Sequence, residues 1–219
     1  MNTIKKVKNK LLYETHAKIL RRKLHTKEFT LITQNCIGGV LYHMFGLPFQ
    51  SPTINMFIED ENFVKLAETP EHYLKSKPVP VSDCYVDPID NNIQYPVIGI
   101  DDIRLCCLHY KNCDEAIEQW KRRCERVQFD KLFIVANTWN LHDNEDLIKR
   151  IDDLKDPHII FDDKGHKGDS IVRLQGDFWY RDERGIIRPN ITDISKDGYH
   201  RLFEETFDFV NWINENIEI

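Results

Sequence analysis

The chain has 219 residues, of which 41% are hydrophobic, 30% are charged and 11% are aromatic. A chain of this length buries the core of one ordinary domain, and the composition argues against disordered, collagen-like and membrane-spanning proteins. The net charge of −6 is unevenly distributed: residues 1–27 hold nine Lys and Arg residues and one Glu, a balance of +8, so the remaining residues carry −14. The acidic majority argues against nucleic-acid binding, whereas the basic end suits an anionic partner.

The cysteines and the absence of targeting segments together bear on the compartment in which the protein is expected to occur. Six are present, but no two have the Cys-x-x-Cys spacing that is typical of zinc ribbons. The first residues contain no apolar run of the length that a secretory signal has, and no stretch is apolar enough to span a membrane. We therefore expect a cytoplasmic protein with reduced thiols.

Residues 1–27 are predicted to form a basic amphipathic helix, because apolar residues recur at helical spacing from residue 3 to residue 25. Two interpretations of this helix stay open. It could lie on an anionic lipid surface, or it could dock on the acidic remainder of the chain or on a second copy.

A predicted strand over residues 29–33 runs into a small-residue turn and then into an apolar helix over residues 40–45, which is how an α/β unit begins. A second strand is predicted over residues 53–58. A helix over residues 61–68 follows, and another helix starts with Pro70 in its first turn.

Residues 79–86 and 93–98 are predicted as the strands of a hairpin, because a turn cluster of Asp, Pro and Asn lies between them. Residues 103–109 form a nearly continuous apolar run, which is typical of a strand covered on both faces. A helix over residues 113–127 follows, with Asn112 at its N-cap. Its three arginines either clamp a phosphate or form a solvated face.

The apolar run over residues 131–136 is the clearest buried strand, and a helix over residues 143–152 and a short strand over residues 158–161 follow it. A hairpin with an Arg-Asp-Glu-Arg-Gly turn is predicted over residues 177–188, and the last helix over residues 199–216.

Strands and helices alternate from residue 29 to residue 161, which favours helices packed on a partly parallel sheet. The predicted fold is a single three-layer, Rossmann-like α/β domain over residues 28–219. Its sheet is expected to be mostly parallel, with a β-hairpin insertion, and the basic helix of residues 1–27 precedes it.

Polar residues follow four of the predicted strands. Ligands of open α/β sheets lie beyond the carboxyl ends of the strands. The four ends are residues 34–36, His109, residues 137–140 and residues 162–164. We therefore expect these residues to line one crevice.

The turn over residues 35–39 is the most specific local feature, with the sequence Asn-Cys-Ile-Gly-Gly. Paired glycines let the backbone approach a ligand, and the start of a helix offers N–H groups to an anion or a developing oxyanion. The same helix start would favour the thiolate of Cys36, so Cys36 could act as a nucleophile with His109 as its base.

Two other interpretations of this turn stay open. Asn35, Gly38 and Gly39 could bind the phosphate of a donor, or the turn could be a tight packing turn in which the cysteine is a buried apolar residue. Asp101 lies at the opposite end of the predicted strand from His109, so it is badly placed to complete a catalytic triad.

Five further residues are predicted substrate contacts: Ser51, Asn55, Tyr110, Asn137 and Trp139. Ser51 could also be a hydroxyl nucleophile, although Ser-Pro is ordinary loop chemistry. Trp139 could stack on a sugar ring or pack in the core. The His and Asp residues between 158 and 166 show no recognised ligand spacing, so no metal site is predicted.

Five stretches form a specific set of motifs: Thr33–Tyr42, Gly46–Asn55, Tyr95–Gly99, His109–Arg123 and Phe207–Asn214. Together they resemble a family of bacterial domains of unknown function that are often labelled exopolysaccharide biosynthesis proteins and sometimes acetyltransferases. Members occur among genes for capsule or surface polysaccharide. The resemblance therefore implies a setting in polysaccharide biosynthesis rather than a mechanism.

The residues and the resemblance together predict a transferase that moves an acyl group onto a sugar hydroxyl. Its donor would be an acyl-CoA, its acceptor a sugar or sugar phosphate, and His109 would take the hydroxyl proton. The alternatives are a glycosyltransferase with a nucleotide-sugar donor and a non-catalytic assembly factor. Residues 1–27 would contact the inner face of the membrane or a polysaccharide synthase.

Overall fold

The computed structural model describes residues 3–88, 90–175, 178–181 and 187–217. Within these residues the helices are α1 (Thr3–Lys23), α2 (Ile37–Phe45), α3 (Asp60–Glu68), α4 (Pro70–Lys75), α5 (Cys113–Cys124), α6 (Glu145–Asp152) and α7 (Phe209–Ile217). The strands are β1 (Thr30–Thr33), β2 (Pro78–Val86), β3 (Gln94–Ile100), β4 (Ile103–Cys106), β5 (Leu132–Asn137), β6 (His158–Asp162), β7 (Ile171–Arg173), β8 (Trp179–Arg181) and β9 (Ile187–Pro189).

The main sheet has four strands in the order β1-β5-β6-β7. β1 pairs with β5 and β5 pairs with β6, both in parallel. Every residue of β1 and β5 is buried, as expected of parallel strands that are covered on both faces. The mixed α/β fold with a mostly parallel sheet is thereby confirmed.

A second sheet is antiparallel and has the order β2-β3-β4. The predicted hairpin of β2 and β3 is confirmed. The predicted strand over residues 103–109 is shorter than expected and lies outside the parallel sheet, because β4 ends at Cys106 and pairs antiparallel with β3. Asp101 has a left-handed backbone (φ 54°) in the two-residue turn between them, and such a tight turn sends the next strand back along the previous one.

Residues 53–58 form a loop rather than the predicted strand. The Met56 N–H donates to the carbonyl of Thr53 in a turn, and Asn55 adopts a left-handed backbone (φ 64°) that a strand does not contain. Only Phe57 pairs with a strand residue, through an isolated antiparallel bridge to Cys106. The loop is nevertheless almost entirely buried.

The C-terminal segment is less helical than its apolar spacing predicts. A 3-10 helix covers Leu202–Glu205, and α7 begins only at Phe209. The side chain of Asp197 accepts hydrogen bonds from the N–H groups of Tyr199 and His200 and so holds a turn where the helix was expected to start. β8 and β9 pair antiparallel, as the predicted hairpin requires, but residues 182–185 of its turn lie outside the described residues.

Most predicted helices are present, and their caps explain where they begin. The N-cap side chain of Asn112 accepts from the N–H of Glu115 at the start of α5. Asn144, rather than the expected Asp143, caps α6 through the N–H groups of Asp146 and Leu147. In the described part of the chain, no helix combines the length and the apolar character needed to cross a bilayer.

The chain divides into two compact units. One contains Met1–Lys27, Val40–Pro48 and Arg173–Ile219, and the other contains Glu28–Gly39 and Phe49–Val172. The second unit holds the parallel pairs β1–β5 and β5–β6, the antiparallel sheet and a continuous apolar core. The separation of residues 1–27 from a single domain over residues 28–219 stays a prediction.

We expect Gly38→Ala to destabilise the protein. A methyl group on Gly38 would lie 2.8 Å from Oγ1 and 2.9 Å from Cγ2 of Thr33, whose side chain is fully buried. Such overpacking costs about 1–3 kcal/mol, more than the roughly 1 kcal/mol that Ala contributes over Gly in a helix. Urea unfolding of the purified protein measures the difference.

The matched control is Gly39→Ala, one residue later in the same helix. A methyl group there would meet Ile54 at 3.4 Å and Asn55 at 3.7 Å, which are ordinary contacts. This variant should be as stable as the wild type or slightly more stable. Equal destabilisation by both changes would contradict the packing that we describe.

Candidate active site

The side chains of Cys36 and His109 are in contact, with 3.5 Å between Sγ and Nε2. Cys36 immediately precedes α2 and is half-buried, whereas His109 is exposed in the turn after β4. A nucleophile and a base that were proposed from the sequence therefore lie within reach of each other, and their catalytic role stays a prediction. Asp101 is elsewhere: it lies between β3 and β4 and pairs with His72 at 2.7 Å.

Asn35 shapes the turn that carries the cysteine. Its Oδ1 accepts a hydrogen bond from the N–H of Ile37 at 3.0 Å, and its carbonyl accepts one from Oγ1 of Thr33 at 2.8 Å. The Asn35 side chain is thus engaged in capping α2. The N–H groups of Gly38 and Gly39, in the first turn of this helix, are among those that lack an intrahelical partner.

Both glycines have a packing role in the structure. Gly38 lies against Thr33 and Ile54, and Gly39 against Ile54 and Asn55. The first turn of α2 can approach Thr33 and the buried loop over residues 53–58 because Gly38 carries no side chain, whereas a methyl group on Gly39 would make only ordinary contacts. Contact of the two glycines with a ligand stays a prediction.

Ser51 is fully buried, and its hydroxyl is engaged within its own loop. Its Oγ lies 3.0 Å from Oγ1 of Thr53 and accepts from the N–H of Thr53 at 3.3 Å. Thr53 in turn accepts from the N–H of Thr33 at 3.2 Å and so ties this loop to β1. Asn55 is only half-buried, and its left-handed backbone places it beside Gly39.

Tyr110 and Arg123 hold the loop next to His109. The Tyr110 hydroxyl donates to the carbonyl of Ile54 at 2.8 Å. Arg123 donates from Nη1 to the same carbonyl at 3.0 Å and to the Tyr110 oxygen at 2.5 Å. Arg123 is buried, and its guanidinium lies over the rings of Phe49 and Tyr110. Tyr110 is thereby tied to the buried loop over residues 53–58, and its contact with a substrate stays a prediction.

The surroundings of Cys36 disfavour its thiolate. Burial raises the pKa of the Cys36 thiol above its usual value. This direction is opposite to the stabilisation of the thiolate that the start of α2 was expected to provide, and its cause is desolvation of the charged form. A base is therefore needed to remove the proton when the sulfur attacks, and His109 is placed to do so.

The ends of β1 and β5 meet as expected at one edge of the parallel sheet. The N–H of Asn137 donates to Oε1 of Gln34 at 3.0 Å, and the side chain of Asn137 accepts from the N–H of Asn140 at 2.9 Å. Trp139 is half-buried in a 3-10 helix, Trp139–Leu141. Gln34 is fully buried, and its Nε2 has no hydrogen-bond partner in the described part of the chain.

An acid and histidine cluster at this edge was missed by sequence reasoning. Nε2 of His142 lies 3.3 Å from Oδ1 of Asp60, and both residues have left-handed backbones (φ 50° and 46°). Burial, and then the charge of Asp60, raises the pKa of Glu59, while the nearby His142 lowers it. No sequence spacing connects residues 59 and 142, although His142 was visible just beyond a predicted strand.

The histidines of the 158–166 region lie at the two different ends of β6. Asp162 is fully buried at its carboxyl end and accepts from Nδ1 of His166 at 2.6 Å. His158 begins the same strand, and its Nε2 lies 2.5 Å from the hydroxyl of Ser170. Among the described residues, no group of three or more His, Cys, Asp and Glu side chains is arranged to hold a metal ion.

A comparison with family models identifies the chain. The model described as "Domain of unknown function (DUF1919)" matches residues 7–214. The chain belongs to the DUF1919 family. The resemblance to a bacterial domain of unknown function is thereby confirmed, whereas neither this description nor the relative below carries a polysaccharide or acetyltransferase label.

A relative from Haemophilus influenzae, described as an uncharacterized protein, is 30% identical over 138 residues. The match covers 62% of this DUF1919 chain and 63% of the length of the relative. The alignment therefore spans somewhat less than two thirds of either protein.

We expect Cys36 to be alkylated slowly at neutral pH. Its raised pKa leaves less thiolate at a given pH, and its half-buried position limits access. Cys84 is exposed and serves as the internal reference. Peptide mapping after iodoacetamide treatment should show Cys84 modified first, and Cys36 only as the pH rises. Rapid labelling of Cys36 at neutral pH that is lost in His109→Ala would instead show a thiolate–imidazolium pair.

Asp162→Asn should destabilise the protein by about 1–3 kcal/mol at pH 7, because buried donors lose a charged acceptor. Burial alone would raise the pKa of the Asp162 carboxyl, but hydrogen bonds from His166, the Lys164 N–H and Thr138 outweigh it and lower the pKa. A carboxyl group whose pKa is lower in the folded state stabilises the protein at pH values above its unfolded-state pKa. This stabilisation is lost as the pH falls through the folded-state pKa.

Urea midpoints of wild type and Asp162→Asn should therefore converge as the pH drops below about 4. A difference in stability that stays constant from neutral to acidic pH would contradict the assignment of a buried, hydrogen-bonded carboxylate.

Proposed function

We propose that this protein is an acyltransferase that moves an acyl group from a thioester donor, through Cys36, onto a sugar hydroxyl. The observation that carries the proposal is the 3.5 Å contact between Sγ of Cys36 and Nε2 of His109. A cysteine with a histidine in hydrogen-bonding reach is the arrangement that nucleophilic catalysis requires.

The first half of the reaction loads the cysteine. His109 removes the proton from Cys36 as the sulfur attacks the acyl carbonyl of the donor, and the donor's thiolate leaves with that proton. The product is a thioester on Cys36. The raised pKa of the Cys36 thiol supports this division of labour, because a thiol that ionises less readily needs a base.

The second half transfers the acyl group to the acceptor. His109 takes the proton of a sugar hydroxyl as its oxygen attacks the thioester, and the sulfur of Cys36 leaves and is reprotonated. The exposed position of His109 favours entry of an acceptor from solvent. The first-turn N–H groups of Gly38 and Gly39 would stabilise the oxyanion of each tetrahedral intermediate.

The remaining parts of the proposal concern the acceptor and the donor of the acyl group. The resemblance favours a surface-polysaccharide precursor, such as a sugar or sugar phosphate, as the acceptor and an acyl-CoA as the donor. Trp139 is half-buried at the edge of the parallel sheet, and its ring would contact the sugar. The parallel and antiparallel sheets would then belong to a three-layer, Rossmann-like arrangement.

Trapping of the acyl-enzyme tests this function. Incubation with acetyl-CoA should add one acetyl group to the intact protein, and peptide mapping should place it on Cys36. Cys36→Ala should abolish the adduct, and the matched control Cys84→Ala should retain it. His109→Ala should slow loading by about 10²–10⁴-fold. Thermal unfolding establishes that each variant is folded.

An acetyl group that is still gained by Cys36→Ala, or full-rate loading of His109→Ala, would contradict the mechanism. A parallel thermal-shift screen with acetyl-CoA, UDP-sugars and sugar phosphates identifies the donor, because a ligand that binds only the folded state raises the melting midpoint. Stabilisation by a UDP-sugar without any acyl adduct would favour glycosyl transfer instead.

A further inference from the structure

Helix α1 carries apolar residues on two opposite faces, and one face is docked within the unit to which the helix belongs. On the docked face, the ring of Tyr13 lies 5.3 Å from the guanidinium of Arg201, and His16 contacts Glu204 at 2.5 Å between Nε2 and Oε1. Ala17, one turn after Tyr13 on the same side of the helix, is buried. These contacts pack the inner face of α1 against other residues of the same unit.

The opposite face presents aliphatic side chains to solvent. The exposed fractions are 63% for Val7, 64% for Leu11, 37% for Leu12 and 46% for Ile19. Val7 and Leu11 are four residues apart and Leu12 and Ile19 are seven apart, so each pair lies on one side of the helix. Within the described residues, these four make up a large share of the exposed large hydrophobic side chains.

Basic residues are interleaved with these aliphatic side chains. Lys8, Lys18 and Arg22 lie on the same outward face, and all three are exposed. Lys8 is three residues from Leu11 and Arg22 is three residues from Ile19, which makes each pair neighbours on the helix surface. Lys18 lies two turns after Leu11 on the same side of the helix. Residues 1–27 as a whole carry a balance of +8.

We propose that the outward face of α1 docks on the surface of an anionic lipid bilayer. The helix would lie parallel to the surface, with Val7, Leu11, Leu12 and Ile19 inserted at the level of the headgroups. Lys and Arg next to such side chains extend along the apolar boundary and keep their charges at the lipid phosphates. Aliphatic burial and electrostatic attraction then act together.

The pattern fits a lipid surface better than the other partners of a basic helix. A groove on a protein takes a narrow apolar stripe and excludes charges from its centre, whereas here cations lie among the aliphatic side chains. A nucleic acid would engage Lys8, Lys18 and Arg22 but would leave four exposed aliphatic residues uncovered. The proposal does not depend on the acyl-transfer reaction, since it concerns α1 alone.

Sedimentation with vesicles tests the proposal on the full chain. The protein should bind vesicles of phosphatidylcholine with phosphatidylglycerol and should bind pure phosphatidylcholine vesicles at least about tenfold more weakly. The double variant Leu11→Ser/Ile19→Ser and the triple variant Lys8→Glu/Lys18→Glu/Arg22→Glu should each lose at least about tenfold in affinity.

The matched control is Lys75→Glu/Lys149→Glu, which reverses two exposed charges on other helices and should bind as the wild type does. Unchanged thermal midpoints will show that the α1 variants remain folded, because the altered side chains point to solvent. Absence of wild-type binding to anionic vesicles would overturn the proposal. Full binding by the Leu11/Ile19 variant, or tighter binding of duplex DNA than of vesicles, would also overturn it.

Discussion

Cys36 and His109 meet because the segments that carry them are both held against one buried residue, Ile54. The first turn of α2 approaches Ile54 so closely that a methyl group on Gly38 would lie 3.3 Å from its Cδ1. On the other side, the carbonyl of Ile54 accepts hydrogen bonds from Tyr110 and Arg123. The loop over residues 53–58 is thus the common support of the cysteine and the histidine.

The charge of Arg123 makes this support unusual. In the described part of the chain the buried guanidinium has no carboxylate partner, and it is stabilised by the rings of Phe49 and Tyr110 and by the Ile54 carbonyl. Burying a cation in this way is favourable only if its hydrogen bonds and ring contacts are kept. The arrangement therefore resists displacement of the Ile54 loop, and with it displacement of His109.

The sequence predicts those parts of the fold that local patterns determine. The continuous apolar run of β5 and the Asn112 cap of α5 are both read correctly, because burial on two faces and a capping side chain leave direct signatures. The antiparallel course of β4 could not be read, since a left-handed Asp101 and a strand shortened to four residues decide it. Likewise, Arg122 and Arg123 are adjacent on α5, and only packing shows that the second is buried.

The candidate site was predictable only in part, and one assumption behind the pairing of its two residues does not hold in the structure. Cys36 stands out because a cysteine between a strand and a Gly-Gly helix start is chemically distinctive. His109 was paired with it on the assumption that both followed strands of one sheet. In the structure the histidine instead reaches the cysteine from the antiparallel sheet, whose edge is linked to the 53–58 loop by the Phe57–Cys106 bridge. Glu59 and His142 were missed because their proximity is set by tertiary structure alone.

Backbone strain marks the same edge of the molecule. Asn55, Asp60, His142 and Asp143 have left-handed backbones without being glycine, and each such residue costs of order 1–3 kcal/mol unless its surroundings hold it. Asp60 begins α3 and the other three lie in loops, beside the ends of β1 and β5 or beside the Cys36 turn. Burial raises the pKa of Glu59, which directly precedes Asp60. Asn, Asp and His adopt the left-handed conformation more readily than other non-glycine residues, which explains why these residue types occupy the four positions.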